Sequence, residues 1–211
     1  MRTNKNVVEK IDYLVLLRGI NVGGNNIIKM NYLKKLFEEL GFSDIKTYIQ
    51  SGNILFKDTE EDKIKLVERI ERILFEKLNC KINAMILTFP DMERIISGKP
   101  DGFGEENDRF KYDVIFLIDP LTTKEAIQEI KAKEGVDEIY EGEKVVYSKR
   151  LIEKITKSYI SKIVGTPIYR NITIRNWNTT KRLYELIEAY NSSTLNLHNN
   201  SVVSQHSPLR P

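Results

Sequence analysis

Arg18, Asn21, Gly23, Gly24 and Lys29 fall in one short stretch, "RGINVGGNNIIK", directly after the apolar run "YLVLL". Residues of these types suit the binding of an anion. Adjacent glycines take positive φ and let the backbone approach a ligand closely. Successive amides in such a turn form a nest for a phosphate or carboxylate, and a following helix start adds unpaired amides and partial positive charge. Arg18 and Lys29 supply full charges. A second polar bend, "QSGN", offers Gln50, Ser51 and Asn53, and a third, "RNWNTT", offers Arg175 and Asn176. The first stretch is neither the dinucleotide fingerprint nor a P-loop, because it lacks both the glycine spacing and the Gly-Lys-Ser/Thr ending. A plainer reading stands beside the anion site: glycines permit turns, and asparagines satisfy backbone groups. Both readings stay open at this stage.

Little else in the chain suits catalysis. The two histidines, His198 and His206, lie in the polar stretch after Asn191, and Cys80 is the only cysteine. A Ser-His or Cys-His pair within the folded body is thereby excluded, as are the usual zinc ligand sets. Ser51 has no nameable activating base, so no catalytic residue is assigned. Neither a metal nor a cofactor is expected. Cys80, at a helix-to-strand junction, reads as a small apolar group.

The surrounding elements decide whether the bends meet. An apolar strand over Asp12–Ile20 is followed by a helix striped by Met30, Leu33, Leu36, Phe37 and Leu40, which Gly41 stops. A hairpin of "IKTYIQ" and "ILF" turns at "SGN". Thr59 and Asp62 mark the start of a second helix striped by Ile64, Val67, Ile70, Ile73, Leu74 and Leu78, and "INAMIL" is a fourth strand. This order, strand–helix–strand–strand–helix–strand, is the split βαβ, ferredoxin-like arrangement. Its sheet order 4-1-3-2 brings the end of the first strand, the start of the first helix and the second-to-third strand turn to one rim. The expected fold class is therefore α+β, with a ferredoxin-like subdomain over 1–97 followed by a second, partly repeated α+β subdomain over 98–190.

A short helix over Phe89–Ser97 precedes the turn-rich "GKPDGFGEEND", the expected boundary. The second subdomain reads as a strand at Tyr112–Ile118, a helix opened by the capping box Thr122–Glu125 and running to about Lys133, a hairpin around Gly142, a helix striped by Ile152, Ile155, Tyr159 and Ile163, a short strand at Ile172–Ile174 and a last helix. Asn176 is the expected cap of that last helix, with Asn178 as the alternative, and Trp177 is expected in the seam between sheet and helix. Residues 191–211 read as a disordered polar tail.

Formal net charge is +3. Residues 1–90 and 151–190 are net basic and residues 91–150 net acidic, a weaker asymmetry than a dedicated nucleic-acid binder shows. Lys149, Arg150, Lys154 and Lys157 read as a solvated basic cluster. No apolar run approaches the ~20 residues that cross a bilayer, and the N-terminus lacks a secretory signal, so a cytoplasmic protein without a membrane partner is expected.

"LLRGINVGG", "YIQSGNILF" and "TIRNWNT" resemble the bacterial domain-of-unknown-function family 1697 (DUF1697), in the same order and from about Tyr13 to Ile187. The resemblance rests on Arg18, Gly19, Asn21, Gly23 and Gly24; on Gln50, Ser51, Gly52 and Asn53; and on Arg175, Asn176, Trp177 and Thr179. It implies an α+β body of ferredoxin-like character in soluble bacterial proteins whose activity is not established. Asn25 departs from the many members that carry lysine there, which makes the corner less cationic. Three functions compete: binding of a small anionic ligand, a phosphate, a carboxylate or possibly a nucleotide, at the glycine bends; RNA binding on the sheet, for which strands one and three offer only Tyr13 and Phe56; and a non-catalytic protein-interaction role. The first is preferred. The oligomeric state is left open.

Overall fold

The computed structural model describes residues 9–21 and 27–203, the side chains of 193–203 excepted. Its strands are β1 (Ile11–Leu17), β2 (Ser43–Tyr48), β3 (Asn53–Asp58), β4 (Ala84–Leu87), β5 (Phe110–Leu117), β6 (Asp137–Gly142), β7 (Val145–Leu151) and β8 (Ile172–Asn176). Its α-helices are α1 (Met30–Glu39), α2 (Lys63–Leu78), α3 (Phe89–Ser97), α4 (Thr123–Glu129) and α5 (Trp177–Val203). They build a mixed α+β molecule with two four-stranded antiparallel sheets, ordered β2-β3-β1-β4 and β6-β7-β5-β8. The first is the split βαβ order read from the sequence, and the second repeats it.

Period-two alternation sorts each strand between two cores. Tyr13, Val15, Leu17, Ile54, Phe56 and Ile86 face α1 and α2. Leu14, Leu16, Leu55, Met85 and Leu87 face the other way, in one cluster with Val114, Phe116, Val145 and Tyr147 of the second sheet and with side chains of α3 and α5. The outer face of the second sheet packs Ile115, Leu117, Val146 and Ile172 against Ala126 and Ile130. The sheets thus meet face to face, and β1 is buried on both sides, which explains its unbroken apolar run. Tyr13 and Phe56, the aromatics that strands one and three offer for base stacking, are 1% and 0% exposed.

Several local signals hold. Thr122 and Glu125 form a reciprocal capping box. Gly41, at φ 81°, follows the end of α1. Asn176 caps α5 by accepting the Thr179 N–H at 2.7 Å.

Others are corrected. α2 is capped by Asp62, which accepts the Ile64 N–H at 2.9 Å, because Thr59 stands too far ahead of the first helical residue. On α2, Ile70 and Leu74 are buried and Val67, Ile73 and Leu78 pack partly buried against the same core as expected, but Leu66 joins the stripe and Ile64 leaves it, 69% exposed. The expected helix over Ile152–Ile163 is instead a chain of 3-10 turns at Ile152–Lys157, Ile160–Gly165 and Pro167–Asn171. β-branched residues weaken an α-helix there, and Gly165 and Pro167 prevent its continuation. Arg150 leaves the expected solvated cluster: it is buried and paired with Asp113, and also donates to Ser161 at 2.9 Å. α5 runs past Asn191 to Val203, so residues 191–203 are helical rather than a tail. Extending an existing helix costs far less than nucleating one, which is how a Ser/Asn-rich segment continues it.

Candidate functional site

β1 ends beside the β2–β3 turn, where the Leu17 N–H donates to the Gly52 carbonyl at 2.8 Å. Gly52 has φ 72°, and a Cβ there would lie 2.8 Å from both Leu17 Cβ and Ile20 Cδ1. Glycine is required by conformation and by space at once.

Asn21 ties the next layer together. Its side-chain amide donates to the Gln50 carbonyl at 2.8 Å and the Ile28 carbonyl at 3.0 Å, and its Oδ1 accepts the Ile28 N–H at 2.7 Å. One side chain therefore holds the chain leading into α1 against the β2–β3 turn. The rim predicted from topology exists, but Asn21 is spent in building it.

Arg175 reaches the same corner from β8. Nε donates to Asn53 Oδ1 at 2.6 Å; Nη1 donates to Thr173 Oγ1 at 2.8 Å and the Ile174 carbonyl at 2.9 Å; Nη2 donates to the Ser51 carbonyl at 2.8 Å and the Leu17 carbonyl at 3.1 Å. Those five bonds use every donor of the guanidinium. All five acceptors are neutral. Burial pushes the Arg175 pKa down to about 10, which leaves it charged at neutral pH. The "RNWNTT" motif thus meets the first two bends through a buried cation that braces them. Asn53 is spent as well, donating to the Tyr48 carbonyl at 3.1 Å and to Ser51 Oγ at 2.9 Å.

The remaining candidates divide. Arg18 stands apart from the corner: its Nε donates to the Tyr169 carbonyl at 2.8 Å and its guanidinium stacks on that ring at 4.6 Å. Alternation places it on the β1 face turned toward the second sheet. Asn176 is committed to capping α5. Gly23 and Gly24 lie outside the described residues. Lys29 and Gln50 are exposed, and their side chains make no bond among the described residues. Among the described residues, Ser51 Oγ only accepts, from Asn53.

One residue at this rim was missed in the sequence. Ile49, 48% exposed, has φ 47°. A β-branched residue in the left-handed region is strained. Asn21, holding the neighbouring Gln50 carbonyl, helps to fix it there. Ile27, 79% exposed, lies next to Ile28 in the segment leading into α1. No sequence signal marks Ile49, because nothing in "YIQSG" foretells which residue takes the positive φ.

A family model described as "Protein of unknown function (DUF1697)" matches residues 11–147. The chain belongs to the DUF1697 family. The matched span contains the first two bends of this DUF1697 protein and stops short of "RNWNTT". A solved structure, that of the conserved bacterial protein SP0830 from Streptococcus pneumoniae, is similar with a TM-score of 0.74 and 27% identity, over 85% of this chain and 99% of that one. No curated protein matches. Among the described residues of this DUF1697 member, no helix is long and apolar enough to cross a membrane.

Proposed function

We propose that this protein binds a small ligand with an anionic group and an apolar body, such as a nucleotide, at the rim formed by residues 27–29 and 49–51. The observation that carries the reading is Ile49, an exposed branched side chain kept at positive φ by a rim that other residues brace. Strain of this kind persists only where surrounding structure over-determines it, and it concentrates at ligand sites. In this reading Lys29 supplies the charge, Gln50 and the Ser51 hydroxyl donate, and Ile27 and Ile49 take the apolar part. Asn21, Asn53 and Arg175 form the frame. Arg18 is left out because Tyr169 holds it elsewhere. The role is binding: among the described residues, no two side chains at the rim form an acid–base pair.

Calorimetric titration with inorganic phosphate, AMP, ATP and citrate tests this. At least one nucleotide is expected to saturate more tightly than phosphate alone, with binding lost in Lys29→Ala. Heats that never saturate with any of the four, or an affinity unchanged in Lys29→Ala, would overturn it.

A further inference from the structure

The first sheet ends at β4, whose outer edge meets no further strand among the described residues. The Ala84 N–H turns outward and donates to Glu71 Oε1 at 2.8 Å, and the Thr88 N–H donates to Asp91 Oδ2 at 2.7 Å. Period-two alternation therefore aims the Ile86 N–H and C=O outward as well, and Ile86 stands opposite Val15 at a non-bonded rung of the β1–β4 ladder. Two carboxylates blunt the edge on either side of Ile86, while its own N–H and C=O have no partner among the described residues. An open rung of this kind recruits another strand unless something covers it.

The rung opens into space of the right shape. β4 floors a cavity of about 830 Å³, walled on one side by α2 and on the other by Ile118 and Pro120 of the second half. Ile64, an apolar residue left exposed on α2, lines it. Its walls carry seven carboxylates against four cations. Three of those cations are already matched: Lys63 with Asp91, Arg94 with Asp91 and Glu143, and Lys144 with Asp119. Glu61, just ahead of α2, and Glu68, on it, are exposed and have no cation among the described residues.

We propose that this cleft takes an extended peptide of alternating basic and apolar residues, added as a strand to β4. One peptide residue exchanges both backbone bonds with Ile86. Side chains of one parity face α2, where Glu61 and Glu68 select cations, and those of the other parity face the apolar wall at Ile118. Strand addition of this type takes affinity from the main chain and specificity from alternate side-chain pockets. The site is separate from the rim at residues 27–29 and 49–51.

Fluorescence anisotropy of the whole protein tests the proposal with three labelled peptides: alternating Lys and Val, alternating Glu and Val, and the Lys–Val peptide N-methylated on its valines. The first is expected to saturate, and the other two to bind at least about tenfold more weakly. The double variant Glu61→Gln with Glu68→Gln, altered only at exposed positions, is expected to weaken the first peptide about fivefold. Hydrogen exchange at the Ile86 amide is expected to slow on binding. No saturation, equal affinity for the acidic peptide, indifference to N-methylation or an unchanged Ile86 amide would each overturn it. A dimer in light scattering that protects Ile86 without peptide would assign the edge to a second copy and overturn it too. Displacement of the peptide by spermidine without protection of Ile86 would make this a small-cation site instead, with the same consequence.

Discussion

Arg175 Nε meets Asn53 Oδ1 at 2.6 Å, joining β8 of the second sheet to the first residue of β3 in the first. The same guanidinium holds the Leu17 and Ser51 carbonyls. A buried cation with five neutral acceptors is kept by hydrogen bonding rather than by a counter-ion, so its value depends on every bond being made.

Arg175→Ala leaves the Leu17, Ser51 and Ile174 carbonyls, Asn53 Oδ1 and Thr173 Oγ1 without their donor. The expected loss is about 3 kcal/mol or more, roughly 6–12 °C in melting temperature for a chain of this size. Arg175→Lys keeps the charge but offers only three donors, without the planar fork, and is expected to recover less than half of the loss. Thermal unfolding followed by circular dichroism reads both. A melting point within about 2 °C of wild type for Arg175→Ala would show that the corner does not depend on this brace.

Gly52→Ala acts on the same corner from inside the turn. The new Cβ meets Leu17 Cβ and Ile20 at 2.8 Å, and the φ of 72° is itself unfavourable for alanine. Both effects point the same way, and the expected cost is about 2–4 kcal/mol. Urea unfolding checks it, with an unchanged slope showing that the folded state kept its compactness.

Ile49→Gly reverses that logic. Glycine accepts φ 47° without the penalty that isoleucine suffers, and the lost side chain is half exposed, so little burial is forfeited. Stability is expected to rise by about 0.5–1 kcal/mol, since the relief of roughly 1–2 kcal/mol is partly offset by glycine's greater unfolded-state entropy. A rise in urea midpoint together with weaker nucleotide binding would be the signature of strain kept for function. A fall in midpoint would mean that Ile49 packs better than its exposure implies.

The first sheet was legible because its signals agree at every level: helical stripes, a Gly-centred hairpin and a run of "YLVLL" that suits a central strand covered on at least one face. Thr122–Glu125 and Asn176 were legible because capping is a local matter of a few residues. The crossover after β7 was not, since Ile152, Ile155, Tyr159 and Ile163 keep a helical spacing that 3-10 turns also use in part. The meeting of the bends was legible from topology, but the bonds that their side chains make were not. Asn21, Asn53 and Arg175 look like donors for a ligand in sequence, and whether a donor is already spent is decided by carbonyls far along the chain. Ile64 shows the same limit from the other side, as an apolar residue at helical spacing that the core never covers.

Tyr147 links the two halves differently and provides a pH test. Its hydroxyl donates to the Ile95 carbonyl at 2.6 Å, tying β7 to α3, and burial pushes its pKa up to about 12. The folded protein therefore holds this proton more tightly than the unfolded chain, whose ordinary value is 10.0. The stabilising contribution is complete below pH 10 and is lost as pH rises through about 12. Tyr147→Phe is expected to cost about 1 kcal/mol at neutral pH, the worth of one hydrogen bond whose partner carbonyl stays buried. It is also expected to flatten the fall in urea midpoint across the alkaline window. Tyr13, likewise raised to about 12 by burial and then by the charges of Asp58, Glu61 and Glu60, titrates equally in both proteins. The difference between the two pH profiles thus isolates Tyr147, and parallel profiles would show that its hydroxyl is not shielded at the seam between α3 and β7.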